Sequence, residues 1–400
     1  MTRRIAILGG GMFGVCAALE LARAGQPVVL VDGAHDLLEG AGRWNEGKIH
    51  LGFLYGGDPS LSTATRLIPG GLEFADVVER LIEQDIGEFA TVEDDLFLVH
   101  RDSVVDVAAY ATYAERTASL IRHFSRQGGA GKYLANVRHA EARRLSPSEL
   151  TDVTTNDEVL AGFAVPERSV STLPIADLLK AAVAADSRVE VRLDAWVEGV
   201  RKREDGRLDV LCTGQPEGLD GFDVVINGLW ESRLAVDATM GMHPPAEWTH
   251  RFRATLYGYA PNATFRSAVL CTGPFGGVNR YADGRVYLSW YPAELLAEGN
   301  ELEPPRAKAK LTKRRMAKVA DATIRELTRF FPGVADLDDL EVHGGWVYAV
   351  GKGSLADRAS TLHQRDKFGV ARDGGYISVD TAKYSLAPWI AARVAKMVLA

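Results

Sequence analysis

The sequence has few cysteines, and none of them is placed for a paired site. Its 400 residues include only Cys16, Cys212 and Cys271, which lie far apart. This number and spacing exclude a disulfide framework and a cysteine-based metal site, and no metal is expected. Scarce, unpaired cysteines are typical of a reducing compartment, so we expect a cytoplasmic protein.

The chain also lacks the marks of nucleic-acid binding and of membrane insertion. Its net charge is −7 and it contains no long basic run, so no electrostatic footprint for nucleic acid is present. No stretch of about 20 apolar residues exists, so no membrane span is expected. Arg3 and Arg4 precede an apolar run as in a signal peptide, but glycines interrupt that run and Glu20 follows it. We therefore expect this segment to form the first strand and helix and not a targeting sequence.

Several catalytic motifs are absent from the sequence as well. It contains no H-E-x-x-H zinc motif, no G-x-S-x-G nucleophile elbow and no Walker loop. Zinc peptidase, serine hydrolase and P-loop chemistry therefore have no support.

The first 33 residues carry the most informative pattern that is present. An apolar run is followed by a glycine turn, a helical stretch and a second apolar run that ends in an acid; these are Ile5–Leu8, the glycines Gly9, Gly11 and Gly14, Val15–Ala24, Pro27–Val31 and Asp32. The spacing predicts a βαβ unit that binds a dinucleotide, with its pyrophosphate at the helix N-terminus and Asp32 on a ribose. Met12 and Phe13 lie between the glycines of this turn, and Gly33 follows Asp32. We expect all three residues to contact the same ligand.

Further along the chain, hydrophobic periodicity and turn residues predict a mixture of helices and strands. The segments used below are helices over Ser62–Ile86, Val104–Gln127, Pro305–Phe331 and Ala387–Leu399, and strands over Asp95–His100, Asp223–Asn227, residues 341–350 and Tyr376–Val379.

Residues 40–55, which read GAGRWNEGKIHLGFLY, narrow the class of ligand. The segment resembles the N-x-G-x-I-H-x-G-x-x-Y stretch of flavin-dependent L-2-hydroxyglutarate oxidases and the K-L-I-H-G-G stretch of flavin-dependent glycerol-3-phosphate dehydrogenases. Both belong to the D-amino-acid oxidase-like superfamily, together with glycine and sarcosine oxidases. The resemblance implies FAD as cofactor. It also implies that His50 lies near the flavin ring and that the surrounding segment touches FAD through Arg43, Asn45, Gly47, Lys48 and Ile49.

Two other segments and one strand position extend the resemblance over the whole chain. Residues 223–230, DVVINGLW, are similar to a superfamily strand that passes FAD, which implies contacts from Gly228 and Trp230, and Val197 matches a position whose backbone meets the adenine. The segment Gly374–Ala387 is similar to the last strand and loop of the glycerol-3-phosphate dehydrogenases, which implies FAD contacts from Thr381, Ala382, Lys383 and Tyr384. Two positions depart from the family pattern: Asp32 replaces the usual glutamate, and Thr381-Ala382 replaces a glycine pair.

By this resemblance the fold is α/β, with a Rossmann-like FAD-binding domain interleaved with an α+β substrate domain on a mostly antiparallel sheet. The expected FAD-binding domain comprises residues 1–75, 150–240 and 345–400. The expected substrate or cap domain comprises residues 76–149 and 241–344.

The chemistry expected from these residues is oxidation of a small polar substrate. Two kinds of side chain bear on it: a candidate base, and the side chains that would bind the substrate. His50 has a suitable pKa to take an alcohol proton, although it would only orient groups if the substrate were an amine, and it has a purely structural alternative. The strands of the second domain carry arginines that grip carboxylates and tyrosines that shield a flavin face. Among them we predict Arg280, Tyr257 and Tyr291 at the substrate.

The function expected from the sequence is an FAD-dependent oxidase or dehydrogenase. It transfers a hydride from a CH–NH or CH–OH carbon of a carboxylate-bearing substrate, and the electrons leave to O2 or another acceptor. Superfamily breadth favours amines, whereas the histidine segment favours 2-hydroxy acids. The alternatives are an NAD(P)-dependent dehydrogenase, suggested by Asp32, a flavin monooxygenase, and a non-catalytic flavoprotein subunit.

Overall fold

A computed structural model describes residues 3–127, 133–214 and 217–400. The remaining residues of the predicted domain ranges lie outside the described part. The α-helices are α1 Met12–Arg23, α2 Ser62–Ile82, α3 Val107–Arg126, α4 Pro147–Val153, α5 Thr172–Ala185, α6 Arg233–Thr239, α7 Tyr291–Glu294, α8 Lys313–Thr328 and α9 Ala387–Leu399. No helix in these ranges is long and apolar enough to cross a bilayer.

The strands run in chain order from the N-terminus to the start of the last helix. They are β1 Ile5–Leu8, β2 Val28–Val31, β3 Lys48–Ile49, β4 Asp95–His100, β5 Arg143–Arg144, β6 Val159–Val165, β7 Arg168–Ser169, β8 Val189–Arg192, β9 Trp196–Lys202, β10 Leu208–Thr213, β11 Val224–Asn227, β12 Trp248–Tyr259, β13 Ala268–Cys271, β14 Gly276–Arg280, β15 Arg285–Trp290, β16 Leu295–Gly299, β17 Glu341–Val350, β18 Gly369–Asp373 and β19 Tyr376–Asp380.

The first sheet is mainly parallel and has the strand order β18-β19-β11-β1-β2-β8. Strand β1 lies between β11 and β2 and pairs parallel with both. Because β1 is buried on both faces, its sequence is a continuous apolar run. The glycine turn after β1 therefore lies where neighbouring parallel strands all end, which is the position where α/β sheets bind ligands. The predicted βαβ unit is confirmed by this arrangement.

The second sheet is mostly antiparallel and follows the order β16-β12-β15-β14-β13-β4-β6-β5, with β17 also paired to β12. Its longest strand, β12, pairs over ten positions with β17. The observed α/β fold with a second, mostly antiparallel sheet agrees with the expected fold class.

Membership of the second sheet differs from the predicted domain ranges at two places. Strand β6 lies in the second sheet because it pairs antiparallel with β4, although the predicted FAD-binding range begins at residue 150. Strand β17 belongs to the same sheet and crosses the predicted boundary at residue 345. Each pairing joins segments that are far apart in the chain. Neither pairing is marked by a sequence pattern near residue 150 or residue 345.

The predicted helix over Pro305–Phe331 is interrupted in the structure. A 3-10 turn covers Arg306–Ala309, and α8 begins only after Thr312, whose side chain accepts a hydrogen bond from the Arg315 amide as an N-cap. This break leaves Arg306 on a connection that contacts β9 and the turn after β11, as described below.

Candidate functional site

A cleft of about 500 Å³ runs from the glycine turn to the boundary between the two sheets. At one end it is lined by the glycine turn and by Asp32, in the middle by residues 40–42 and 44–46, and at the other end by His50, Arg253 and Lys383. The cleft thus joins the dinucleotide-binding turn to the residues that we predict for chemistry.

Each of the three positions in the turn is glycine for a different structural reason. Gly9 has a φ of +99°, which favours glycine. A Cβ at Gly14 would lie 1.8 Å from the carbonyl oxygen of Gly9, so only glycine lets α1 approach the turn so closely. A Cβ at Gly11 would meet nothing within 4 Å. The space in front of Gly11 is therefore open, and it lies at the N-terminus of α1, where backbone N–H groups have no helical partner.

Asp32 ends β2 beside this turn. One carboxylate oxygen accepts a hydrogen bond from the Gly10 amide, and the other accepts one from the Ala34 amide at 2.7 Å. Each oxygen keeps a second lone pair, so the fixed carboxylate can still accept ribose hydroxyls.

The end of the cleft beyond Asp32 is closed by a contact that the sequence did not predict. The guanidinium of Arg306 lies 4.5 Å above the ring of Trp196, which is one of the exposed large apolar side chains. Arg306 also hydrogen-bonds to Ser232 at 2.6 Å. The connection that precedes α8 thereby contacts β9 and the turn between β11 and α6.

The opposite end of the cleft contains a group of buried charges around His50. Its imidazole Nδ1 lies 3.5 Å from Glu167 Oε1, and its Nε2 lies 3.9 Å from Glu46 Oε1. Lys48 pairs with Asp95, and both side chains are fully buried. Burial, followed by the charge of Lys383, lowers the pKa of His50 well below its ordinary value, so the imidazole is neutral near pH 7.

Positive groups surround this end of the cleft. Arg253 is paired with Glu294 at 2.6 Å, and it uses the same nitrogen to bind Ser289. Arg365 is buried and donates to the carbonyl oxygens of Tyr348 and Ala382 at 2.9 and 2.8 Å. Within the described ranges Arg365 forms no ion pair, so its charge is not neutralised locally.

The C-terminal loop and the start of α9 form the rest of the cleft wall near His50. Lys383, Tyr384 and Ala387 line the cleft at the start of α9, whose N-terminus carries about half a positive charge. Ala382 has a φ of +54°, so an alanine adopts the left-handed conformation that the family's glycine would take freely. Its amide bonds to Asp380 at 2.8 Å, which helps to hold this conformation.

The environment of Lys383 gives a prediction for the pH dependence of stability. Burial, and then the charge of Arg365, lower the pKa of Lys383 to about 7. The unfolded chain keeps the ordinary value, so it binds more protons than the folded state above pH 7. Stability of the FAD-free protein should therefore rise with pH from about 7 towards the ordinary lysine pKa, because the unfolded chain progressively loses the extra proton that favours it. Lys383→Met should remove this rise and stabilise the FAD-free protein at pH 7 by about 1–2 kcal/mol, after discounting for partial exposure.

The measurement is the thermal midpoint of both FAD-free proteins from pH 7 to about pH 10. The two midpoints should converge as pH rises. Parallel pH curves for the wild type and Lys383→Met would contradict the lowered pKa.

Most of the predicted cofactor residues line the cleft. They are Gly9, Gly11, Met12, Phe13, Asp32, Gly33, Asn45, Lys48, Val197, Gly228, Trp230, Thr381, Ala382, Lys383 and Tyr384, and the predicted catalytic residue His50 lies with them. Four others lie behind the cleft wall. Gly14 and Gly47 pack against backbone carbonyls, Arg43 binds Asp177 at 2.7 Å, and Ile49 is fully buried.

Three predicted substrate residues do not line the cleft within the described part of the chain. Arg280 donates to the carbonyl oxygen of Ala263 at 2.9 Å. Tyr257 is buried and its hydroxyl lies 3.1 Å from that of Thr255, and Tyr291 begins α7, where its hydroxyl accepts from Arg251 at 3.0 Å. The strands do face the cleft, but through other positions, because the sheet brings Arg253 and Thr255 of β12 and Tyr287 of β15 to it.

Other lining residues were missed by the sequence reasoning altogether. Glu46 lies between Asn45 and Gly47 in the segment that resembles the flavin-dependent families, so its place in that segment could have identified it. Arg306, Arg365 and Trp196 come from loops or strand ends that carry no local pattern, and only the fold brings them to the cleft.

The residues at both ends of the cleft fit FAD. The open space at Gly11, the unpaired amides of α1 and the Asp32 carboxylate suit the adenosine diphosphate part. The α9 N-terminus and Lys383 suit the electron-rich edge of a flavin, where negative charge develops on reduction.

Solved structures with the same fold include several oxidases. Glycine oxidase from Geobacillus kaustophilus is 15% identical, with a TM-score of 0.69 over 100% of this chain and 95% of that chain. Iminodiacetate oxidase from Chelativorans sp. is 18% identical, with a TM-score of 0.67 over 99% and 95%. L-α-glycerophosphate oxidase from Mycoplasma pneumoniae, with FAD bound, is 16% identical, with a TM-score of 0.65 over 100% and 95%.

No curated protein sequence matches the chain. A family model described as FAD dependent oxidoreductase, however, matches residues 4–395, which is nearly the whole sequence. This match confirms FAD as the predicted cofactor in place of the NAD alternative that Asp32 suggested. The chain belongs to this family of FAD-dependent oxidoreductases.

Proposed function

We propose that the protein is an oxidase or dehydrogenase that acts on the CH–OH or CH–NH carbon of a small, carboxylate-bearing substrate. The observation that carries the proposal is the neutral His50, which lines the same end of the cleft as Arg253, Lys383 and Arg365. FAD, when bound, supplies the acceptor for the substrate hydride. The chain's own residues bind the substrate, hold its proton and exclude water.

The charges around this end of the cleft support an anionic substrate. Arg253 keeps donors free, because only one of its terminal nitrogens is bonded to Glu294 and Ser289 and its buried Nε has no partner in the described residues. Arg365 adds a positive charge, and Lys383, whose pKa is lowered to about 7, adds charge only in its protonated form. Glu46 is the carboxylate that faces them from the segment before His50. A guanidinium with free donors suits a carboxylate, which it can bind through two hydrogen bonds.

His50 favours the alcohol over the amine within this proposal. Oxidising a hydroxy acid requires a group that takes the hydroxyl proton, whereas a neutral amine needs none. A neutral imidazole can take that proton. His50 lines the cleft, and its Nε2, which lies 3.9 Å from Glu46 Oε1, can accept one hydrogen bond from the substrate hydroxyl.

The test is anaerobic bleaching of the flavin absorbance in the purified holoenzyme. The panel contains 2-hydroxy acids, the matching amino acids, and the same alcohols and amines without the carboxylate. We expect bleaching by a hydroxy acid, none by its decarboxylated analogue, and hydrogen peroxide or reduced dye when an acceptor is then added. Bleaching by amino acids alone would reject the alcohol preference. Bleaching by NAD(P)H alone, or by no compound, would support a monooxygenase or a non-catalytic subunit instead.

A further inference from the structure

We propose that Glu167 is a positioning residue that holds the His50 proton on Nδ1 and leaves the lone pair of Nε2 directed into the cleft. This inference rests on the proposed base role of His50 for its consequence in catalysis. The proton position itself follows from contacts within the chain and is measured separately.

Glu167 occupies a rigid position behind the cleft. It lies in the turn between β6 and β7, where its amide donates to the Val165 carbonyl at 2.8 Å and its carbonyl accepts from the Asp95 amide at 3.1 Å. Strand β7 pairs with β3, the strand that leads directly into His50. The backbone that carries the glutamate and the backbone that carries the histidine are therefore joined by hydrogen bonds.

The hydrogen-bond partners of Glu167 leave one oxygen for His50. Oε2 accepts from the Leu51 amide at 2.7 Å, and the side chain is fully buried. Oε1 lies 3.5 Å from His50 Nδ1, and neither of these two atoms has another partner among the described residues. This distance is at the outer limit of a hydrogen bond, as is common in ligand-free sites that tighten on binding.

The position of the proton follows from the cost of the alternative. If Nε2 carried the proton, the lone pair of Nδ1 would face the Glu167 oxygen, and two buried acceptors would be left without a donor. Leaving one buried polar group unsatisfied costs about 1–3 kcal/mol. With the proton on Nδ1, both atoms are satisfied, and Nε2 becomes the acceptor on the side of Glu46 and the cleft.

The neighbouring charges are consistent with an ionised Glu167. Lys48 lies in the same buried group, where it binds Asp95 and lies 3.3 Å from Ser169 Oγ. Burial raises the pKa of Glu167, and the charge of Lys48 and the backbone amides of Leu51 and Phe53 offset part of that rise. A carboxylate on Nδ1 also stabilises the imidazolium that forms when Nε2 takes up a proton.

Glu167→Gln tests the inference because it preserves shape and reverses one hydrogen bond. Its amide oxygen can keep the Leu51 bond, which places its NH2 group against His50 Nδ1. A donor at that point requires Nδ1 to be the acceptor, so the proton moves to Nε2 and the lone pair is lost from the cleft. Holoenzyme labelled with 15N-histidine would report this move in the ring nitrogen shifts, and the His50 signals would be assigned by their absence in His50→Gln.

We expect the wild type to show a protonated Nδ1 and Glu167→Gln to show a protonated Nε2. The variant should also reduce its flavin at least about a hundredfold more slowly, with little change in substrate Kd. Glu167→Asp keeps the acceptor and should keep the wild-type tautomer. Asp95→Asn is the matched control, because it removes one charge from the same group without touching His50 and should leave the tautomer unchanged.

An unprotonated Nδ1 in the wild type, or the same tautomer in Glu167→Gln, would overturn the inference. If the tautomer moves but His50→Gln reduces its flavin as fast as the wild type, the positioning role stands and the proposed base role fails. The two outcomes are therefore distinguishable.

Discussion

His50→Gln is expected to slow flavin reduction by the preferred hydroxy acid by about 10²–10⁴-fold, the range that a general base contributes. Glutamine retains a polar side chain of similar reach but takes up no proton near pH 7. Its amide can still donate to Glu167, so the buried carboxylate keeps a partner and the fold should be preserved. The measurement is the anaerobic rate of flavin bleaching at saturating substrate.

The matched control for this variant is His100→Gln. His100 is also buried and also has its pKa lowered by burial, but it lies on β4 in the second sheet and does not line the cleft. Its loss should leave the bleaching rate within about threefold of the wild type, since it contributes no group to the reaction. A His50→Gln enzyme that bleaches as fast as His100→Gln would assign His50 an orienting role and would favour an amine as substrate.

The parts of the fold that the sequence predicts are those with local signals. The unit β1–α1–β2 follows from a buried run, a glycine turn and a second buried run, and α9 and strand β4 were also predicted at nearly their observed bounds. The pairing of β6 with β4 joins residues 59 to 70 positions apart, from His100 with Val159 to Asp95 with Val165. No local periodicity records such a pairing, so the boundary near residue 150 could not be placed.

The same distinction applies to the candidate site. Residues that are close in sequence, such as the glycine turn and the segment that ends at His50, were found together because their spacing is itself the motif. Glu167, Arg253 and Arg365 reach the same end of the cleft from three distant segments. Strand alternation did not show which face of β12 meets the cleft. Arg253 and Tyr257 share one face, and of the two only Arg253 lines the cleft.

Gly11→Val is expected to give a folded protein without FAD. The backbone at Gly11 has a φ of −77° and a ψ of −172°, an extended conformation that valine adopts without strain. A Cβ there meets no protein atom within 4 Å, so the fold has room for the side chain. That room is the space at the α1 N-terminus where we place the pyrophosphate, and the valine methyl groups would fill it. We expect FAD affinity to fall by at least a factor of about 100, or about 3 kcal/mol.

Gly14→Ala is the control variant for Gly11→Val, because it should destabilise the fold and not only the binding of FAD. Its Cβ would overlap the Gly9 carbonyl oxygen at 1.8 Å, so α1 must move away from the turn and the fold itself should lose about 3 kcal/mol or more. Thermal midpoints of the FAD-free proteins separate the two effects: Gly11→Val should match the wild type, and Gly14→Ala should melt well below it. Flavin content after purification then completes the comparison. A fully flavinylated Gly11→Val protein would show that the cofactor does not use this space.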